Sequence, residues 1–174
     1  MNILLCIGCD DYLKLSRLQG AEKDARNVFQ LLNKQGSQYP SELSQLLLSP
    51  KVTDIREALN QLISGVEEID VFTFFFAGHG AAKAGSFYLC TKEAEVDRLS
   101  TTAYSISSLF QTVNELQPKQ ANIIIDACQA GSSAFDLSDL VKCDNIGTST
   151  SSSIAFFGAC AADRTHRRPG MAGY

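Results

Sequence analysis

Apolar residues recur along the chain at two alternating spacings. Short runs of strand length lie at 3–7, 46–48, 71–76, 122–125 and 154–157. Between them, apolar positions return every three or four residues, the spacing of one helix face. Ala21, Ala25, Val28 and Leu32 predict a helix that closes near Gly36. Ile55, Ala58, Leu59, Leu62 and Ile63 predict a second, opened by Thr53 and closed by Gly65. Ile106, Leu109, Phe110, Val113 and Leu116 predict a third, stopped by Pro118. The alternation predicts an α/β fold in three layers, a mostly parallel sheet with helices on both faces. Sites in such sheets lie beyond the carboxyl ends of the strands. Two segments stand there: Ala77-Gly78-His79-Gly80, and Asp126-Ala127-Cys128-Gln129-Ala130-Gly131.

Composition narrows the picture. The 174 residues fit one domain, 1–174, large enough to bury a core without staples. A net charge of −4 gives no reason to expect nucleic acid or an anionic membrane as partner. No run approaches the roughly 20 apolar residues of a membrane span. The opening residues 1–7 lack both the positive charge and the cleavage pattern of a signal peptide. The expected compartment is therefore the cytoplasm, where thiols stay reduced. The six cysteines are scattered, unlike a disulfide framework, and most are expected as small buried hydrophobes.

One cysteine has a different setting. A thiol becomes a nucleophile when a neighbour takes its proton, and histidine is the usual neighbour. Only two histidines exist; one, His79, stands at the end of a central strand between two glycines. Cys128 stands at the end of another, 49 positions later. His79 and Cys128 are thus the catalytic pair to expect. The backbone N–H groups of Gly80 and Cys128 are the expected oxyanion hole, each donor worth roughly 3 kcal/mol in comparable sites. A carboxylate two positions before the nucleophile shares its face of a strand, which brings Asp126 beside Cys128.

Residues 74–80 and 123–131 resemble the two catalytic blocks of the caspase-like superfamily, whose histidine stands about 50 residues upstream of its cysteine. The likeness is closest to bacterial metacaspase-like enzymes, the orthocaspases. Leu18-Gln19-Gly20-Ala21-Glu22-Lys23-Asp24-Ala25 resembles their first block, and residues 157–163 the strand after their processing loop. The resemblance implies a cysteine endopeptidase working through an acyl-enzyme on Cys128. It also implies that Asp126, helped by Asp24, forms the pocket for an Arg or Lys side chain before the scissile bond. A protein or peptide substrate, and a fused or separate regulatory sensor, are the implied partners. The alternative within the same fold is a scaffold whose activity is lost or held off.

The remaining features add less. Residues 132–153 read as a flexible processing-type loop in which Lys142 is the single basic residue, hence the expected self-cleavage point. No cofactor is expected for the chemistry. Calcium activation is a lesser option, since the acidic stretch 91–97 with Asp136 and Asp139 falls short of the usual charged oxygen donors. Cys6-Ile7-Gly8-Cys9 follows a strand rather than opening a helix, which argues against a redox or zinc role. The resemblance implies another helix and strand after residue 163, so the chain is expected to be a piece of a longer protein or to have its sheet edge completed by a partner segment, and His166 is expected in a basic tail.

Overall fold

Burial on both faces explains why the central runs are almost continuously apolar. In β1 (Asn2–Gly8), Ile3, Leu5 and Ile7 enter one core while Leu4 and Cys6 enter another. β3 (Val71–Lys83) repeats the division, with Phe72, Phe74 and Phe76 on the first side and Phe75 and Ala77 on the second. β6 (Gln120–Gln129) follows with Ile123, Ile125 and Ala127 against Ile124. The computed structural model describes residues 1–34, 38–129 and 153–162.

Helices close both cores. α1 (Ala21–Leu32) covers the second face through Ala21 and Ala25. α2 (Val52–Ile63) and α4 (Ile106–Leu116) cover the first, α2 through Ile55, Leu59 and Leu62 and α4 through Leu109, Phe110 and Val113. Each such side chain, fully buried, contributes about 1.5–3 kcal/mol. The three layers and the mostly parallel sheet are those the periodicity predicts.

Five strands run parallel in the order β2 (Ser44–Leu48), β1, β3, β6 and β7 (Ser153–Ala162). Two more, β4 (Ser86–Cys90) and β5 (Ala103–Ser105), are antiparallel and extend β3, with the short α3 (Leu99–Thr102) between them. One edge of β3 is held by β6 from 71 to 80. The other is held by β1 from 71 to 77 and by β4 from 80 to 83. The sheet therefore forks at residues 78 and 79.

Several boundaries differ from the sequence reading. β3 does not stop at Phe76, nor β6 at Ile125, because the two strands stay paired through Gly80 and Gln129. α2 starts at Val52 rather than after Thr53, since the Asp54 carboxylate accepts the Lys51 N–H at 2.9 Å. α1 ends at Leu32 with Asn33 as its cap, and Gly36 lies outside the described residues. Ser153 opens β7 instead of closing the loop. Residues 130–152, with Lys142, Asp136 and Asp139, lie outside the described residues, as does His166.

Candidate active site

The fork places the two expected catalytic residues. His79 and Cys128 are Cα partners in the parallel ladder of β3 and β6. Neighbouring strands lie about 4.8 Å apart, so the two positions are adjacent. Two steps earlier Ala77 is the partner of Asp126, and one step later Gly80 is the partner of Gln129. Gly80 is also opposite Leu89 of β4, so the backbone expected to form half of an oxyanion hole lies within the sheet.

His79 is buried and held from three directions. Its Nε2 lies 2.9 Å from the carbonyl oxygen of Ser16 and 3.3 Å from the Ser16 hydroxyl. A carbonyl oxygen only accepts, so the shorter bond requires the proton on Nε2 and leaves the lone pair of the neutral ring on Nδ1. Nδ1 is buried and finds no hydrogen-bond partner among the described residues. The Tyr12 ring lies against the imidazole, with centroids 4.9 Å apart and planes tilted by 48°. The His79 N–H donates to the Tyr12 hydroxyl at 2.8 Å, and that hydroxyl donates to the Cys9 carbonyl at 2.8 Å. Burial pushes the Tyr12 phenol well above its ordinary range, so it stays a neutral hydroxyl.

The glycines beside His79 have a reason that the sequence alone does not show. A Cβ at Gly78 would sit 2.8 Å from the Tyr12 hydroxyl oxygen and 2.9 Å from Phe76 Cζ, and φ there is +157°. A Cβ at Gly80 would sit 2.3 Å from Phe87 Cζ. The space is thus filled by the protein's own side chains rather than kept open for a ligand.

Beside this site lies a cavity of about 190 Å³. Leu18, Gln19 and Gly20 wall one side, Ala77 and Gly78 another, and both Asp24 and Asp126 reach it. The two carboxylates paired by the sequence reading therefore share one cavity, and both are solvent-exposed. The wall is fixed by Asp10, whose carboxylate accepts the N–H groups of Gly20 (3.2 Å), Ala21 (2.9 Å) and Glu22 (3.3 Å) at the start of α1. Those are donors that a helix leaves unpaired, at its positive end. Ser49, at φ 45°, accepts from the N–H groups of Asp10 and Asp11 and donates to Glu22 at 2.6 Å, which pins the same loop.

Asp10, Tyr12, Ser16 and Ser49 were not among the residues singled out from the sequence. Ser16 acts through its backbone carbonyl, which no residue type announces, and Asp10 and Tyr12 act across sequence separations of about ten and 67 residues. Among the described side chains three thiols behave as expected: Cys6, Cys9 and Cys90 are free and buried. Burial pushes Cys6 up to about 12, Cys9 to about 11 and Cys90 to about 12, the opposite of an activated thiol. Among the described residues, no three His, Cys, Asp or Glu side chains are grouped so as to hold a metal ion. No helix among them is long and apolar enough to cross a membrane.

A three-layer sheet with histidine and cysteine side by side at its carboxyl ends defines an α/β domain of the caspase-like class. The Caspase domain family matches residues 1–171, and the chain belongs to this family of cysteine peptidases. It is 28% identical over 152 residues to a probable protease of a Desulfuromonadales bacterium, a match covering 74% of this chain and 18% of that protein. Its fold is similar to a crystal structure of a Geobacter sulfurreducens protein, at a TM-score of 0.57 and 14% identity. That match covers 75% of this chain and 52% of the other. The chain thus spans less than a fifth of the curated relative's length and about half of the structural one's.

Proposed function

We propose that this domain is an endopeptidase that cleaves after Arg or Lys, with Cys128 as nucleophile and His79 as its acid–base partner. One observation carries the reading: the register sets His79 against Cys128 beside a cavity that holds Asp24 and Asp126.

The Cys128 thiol gives its proton to Nδ1 of His79, whose Nε2–H is anchored on Ser16. The thiolate adds to the scissile carbonyl carbon, forming a tetrahedral oxyanion. His79 then passes the proton to the departing amine as the C–N bond breaks, leaving a thioester on Cys128. Water, deprotonated by His79, adds to that thioester, the C–S bond breaks, and the thiol is restored. A guanidinium or ammonium seated between Asp24 and Asp126 holds the substrate in register, whereas an aspartate side chain would be repelled.

The chemistry takes no cofactor, with calcium as at most an activator. Its setting is the cytoplasm, its partner a protein or peptide substrate, and control falls to a fused or separate sensor domain. Lys142 is the point at which the same specificity would cut segment 132–153, giving a new terminus at Cys143.

An Arg-directed, thiol-reactive peptide probe tests the reading, with the modified residue mapped by mass spectrometry. Labelling of Cys128, blocked by excess Arg peptide, is expected. Labelling elsewhere, or equal labelling by an Asp-directed probe, overturns it.

A further inference from the structure

We propose that Tyr12 is the positioning residue for His79, standing in for the strand neighbour that β3 lacks at the fork. The inference rests on the His79–Cys128 reading given above and adds to it the group that sets the histidine.

In a regular strand, the N–H and C=O of alternate residues point to the same neighbour. The Ala77 carbonyl accepts the Cys9 N–H at 3.0 Å, so residue 77 faces the β1 edge, and residue 79 faces it too. The β1 ladder ends at the Gly8–Ala77 pair, and the β4 ladder begins only at Gly80. The His79 N–H therefore points at an edge where no strand offers a carbonyl. A buried N–H without a partner costs about as much as a lost hydrogen bond.

The Tyr12 hydroxyl fills that gap. It accepts from His79 N–H and donates to the Cys9 carbonyl, the residue with which β1 leaves the sheet. Its ring also lies against the imidazole. The same residue thus fixes both the backbone and the ring plane of His79, while Ser16 fixes Nε2. Gly78 leaves room for it: a side chain there would meet the hydroxyl at 2.8 Å. Tyr12 does not line the Asp24–Asp126 cavity, so its effect reaches catalysis through His79 rather than through substrate binding.

Tyr12→Phe keeps the ring and removes the hydroxyl. The variant is expected to lose about tenfold to a hundredfold in kcat on an Arg-containing peptide, with KM within about twofold, because a misplaced base costs turnover rather than affinity. The acid limb of its kcat–pH profile is expected to move, since that limb reports the base. Alkylation of Cys128 by iodoacetamide, followed by mass spectrometry, gives a second readout that needs no turnover; slower modification with a displaced pH midpoint is expected. Should Tyr12→Phe fail to fold, 3,5-difluorotyrosine at position 12 replaces it: shape and hydroxyl remain, the oxygen becomes a poorer acceptor, and a graded fall in kcat is expected. Wild-type kcat, pH profile and alkylation rate in the folded variant, with Cys128→Ala inactive, overturn the role of Tyr12 alone. Wild-type turnover by Cys128→Ala overturns the underlying dyad instead.

Discussion

His79 and Cys128 occupy the same rung of the ladder between β3 and β6, 49 positions apart in the chain and one strand spacing apart in the sheet. Nothing has to fold over the sheet to bring them together, because two parallel strands deliver them from the same end. Cys128→Ala truncates one small side chain and leaves the ladder intact. It is expected to abolish peptide hydrolysis while the melting temperature stays near wild type. His79→Ala is expected to lose at least about a hundredfold, the upper range for a proton-transfer group being about 10⁴. Near-wild-type turnover by either variant in a standard peptide assay refutes the pair.

Asp10 reaches from the end of β1 to the first turn of α1, where it accepts three backbone N–H groups. Asp10→Ala leaves those donors unpaired at the positive end of the helix. A loss of about 0.5–2 kcal/mol in chemical denaturation is expected, the range measured for helix caps. Gly20 also walls the cavity, so KM for an Arg peptide should rise along with the loss of stability. Unchanged stability would show that the cap is idle.

What could be read from the sequence is what local spacing determines. The two-sided burial of β1, β3 and β6 leaves unbroken apolar runs, and the one-sided burial of α2 and α4 leaves a period near 3.6. His79 and Cys128 stand out because chemistry-bearing residues follow those runs directly. β4 and β5 were missed because five and three residues are too few to show a period. Tyr12 was missed for a different reason: its role exists only because β1 leaves β3 at residue 77 and β4 joins at residue 80, a property of pairing between distant segments. The reason for Gly78 follows from the same fork.

At the other end of the sheet, Asp70 precedes β3 and meets Lys119 at 2.7 Å. Hydrogen bonding by Lys119 and then by the N-terminal amine, with their charges, holds the Asp70 carboxyl down at about 2. An unfolded aspartate titrates near 3.9. A carboxyl lowered in the folded state contributes stability that is complete above about pH 4 and is lost as the pH falls through about 2. The melting-temperature gap between wild type and Asp70→Asn is therefore expected at neutral pH and should close by about pH 2. Because the pair is exposed, 1 M salt should shrink the gap as well. A gap independent of pH would exclude the ion pair as its source.

Specificity offers the sharpest test of the cavity. Asp24 comes from the first turn of α1 and Asp126 from β6, so two elements that pack through the α1 core supply one charge each. Both carboxylates are solvent-exposed, so a bound substrate must displace water from them. A guanidinium repays the loss with two-pronged hydrogen bonds to carboxylate; citrulline, nearly the same shape but neutral, does not. Wild-type protein should therefore prefer an Arg peptide to its citrulline twin by a large factor in kcat/KM. Asp126→Asn should reduce that preference by about tenfold or more, equivalent to at least about 1.4 kcal/mol, and Asp24→Asn should reduce it less, as the helper. If both act on one cation, the double variant should lose less than the sum of the two, since interacting residues do not add. An Arg-to-citrulline ratio that survives Asp126→Asn, or a substrate profile led by aspartate, would remove these carboxylates from substrate recognition.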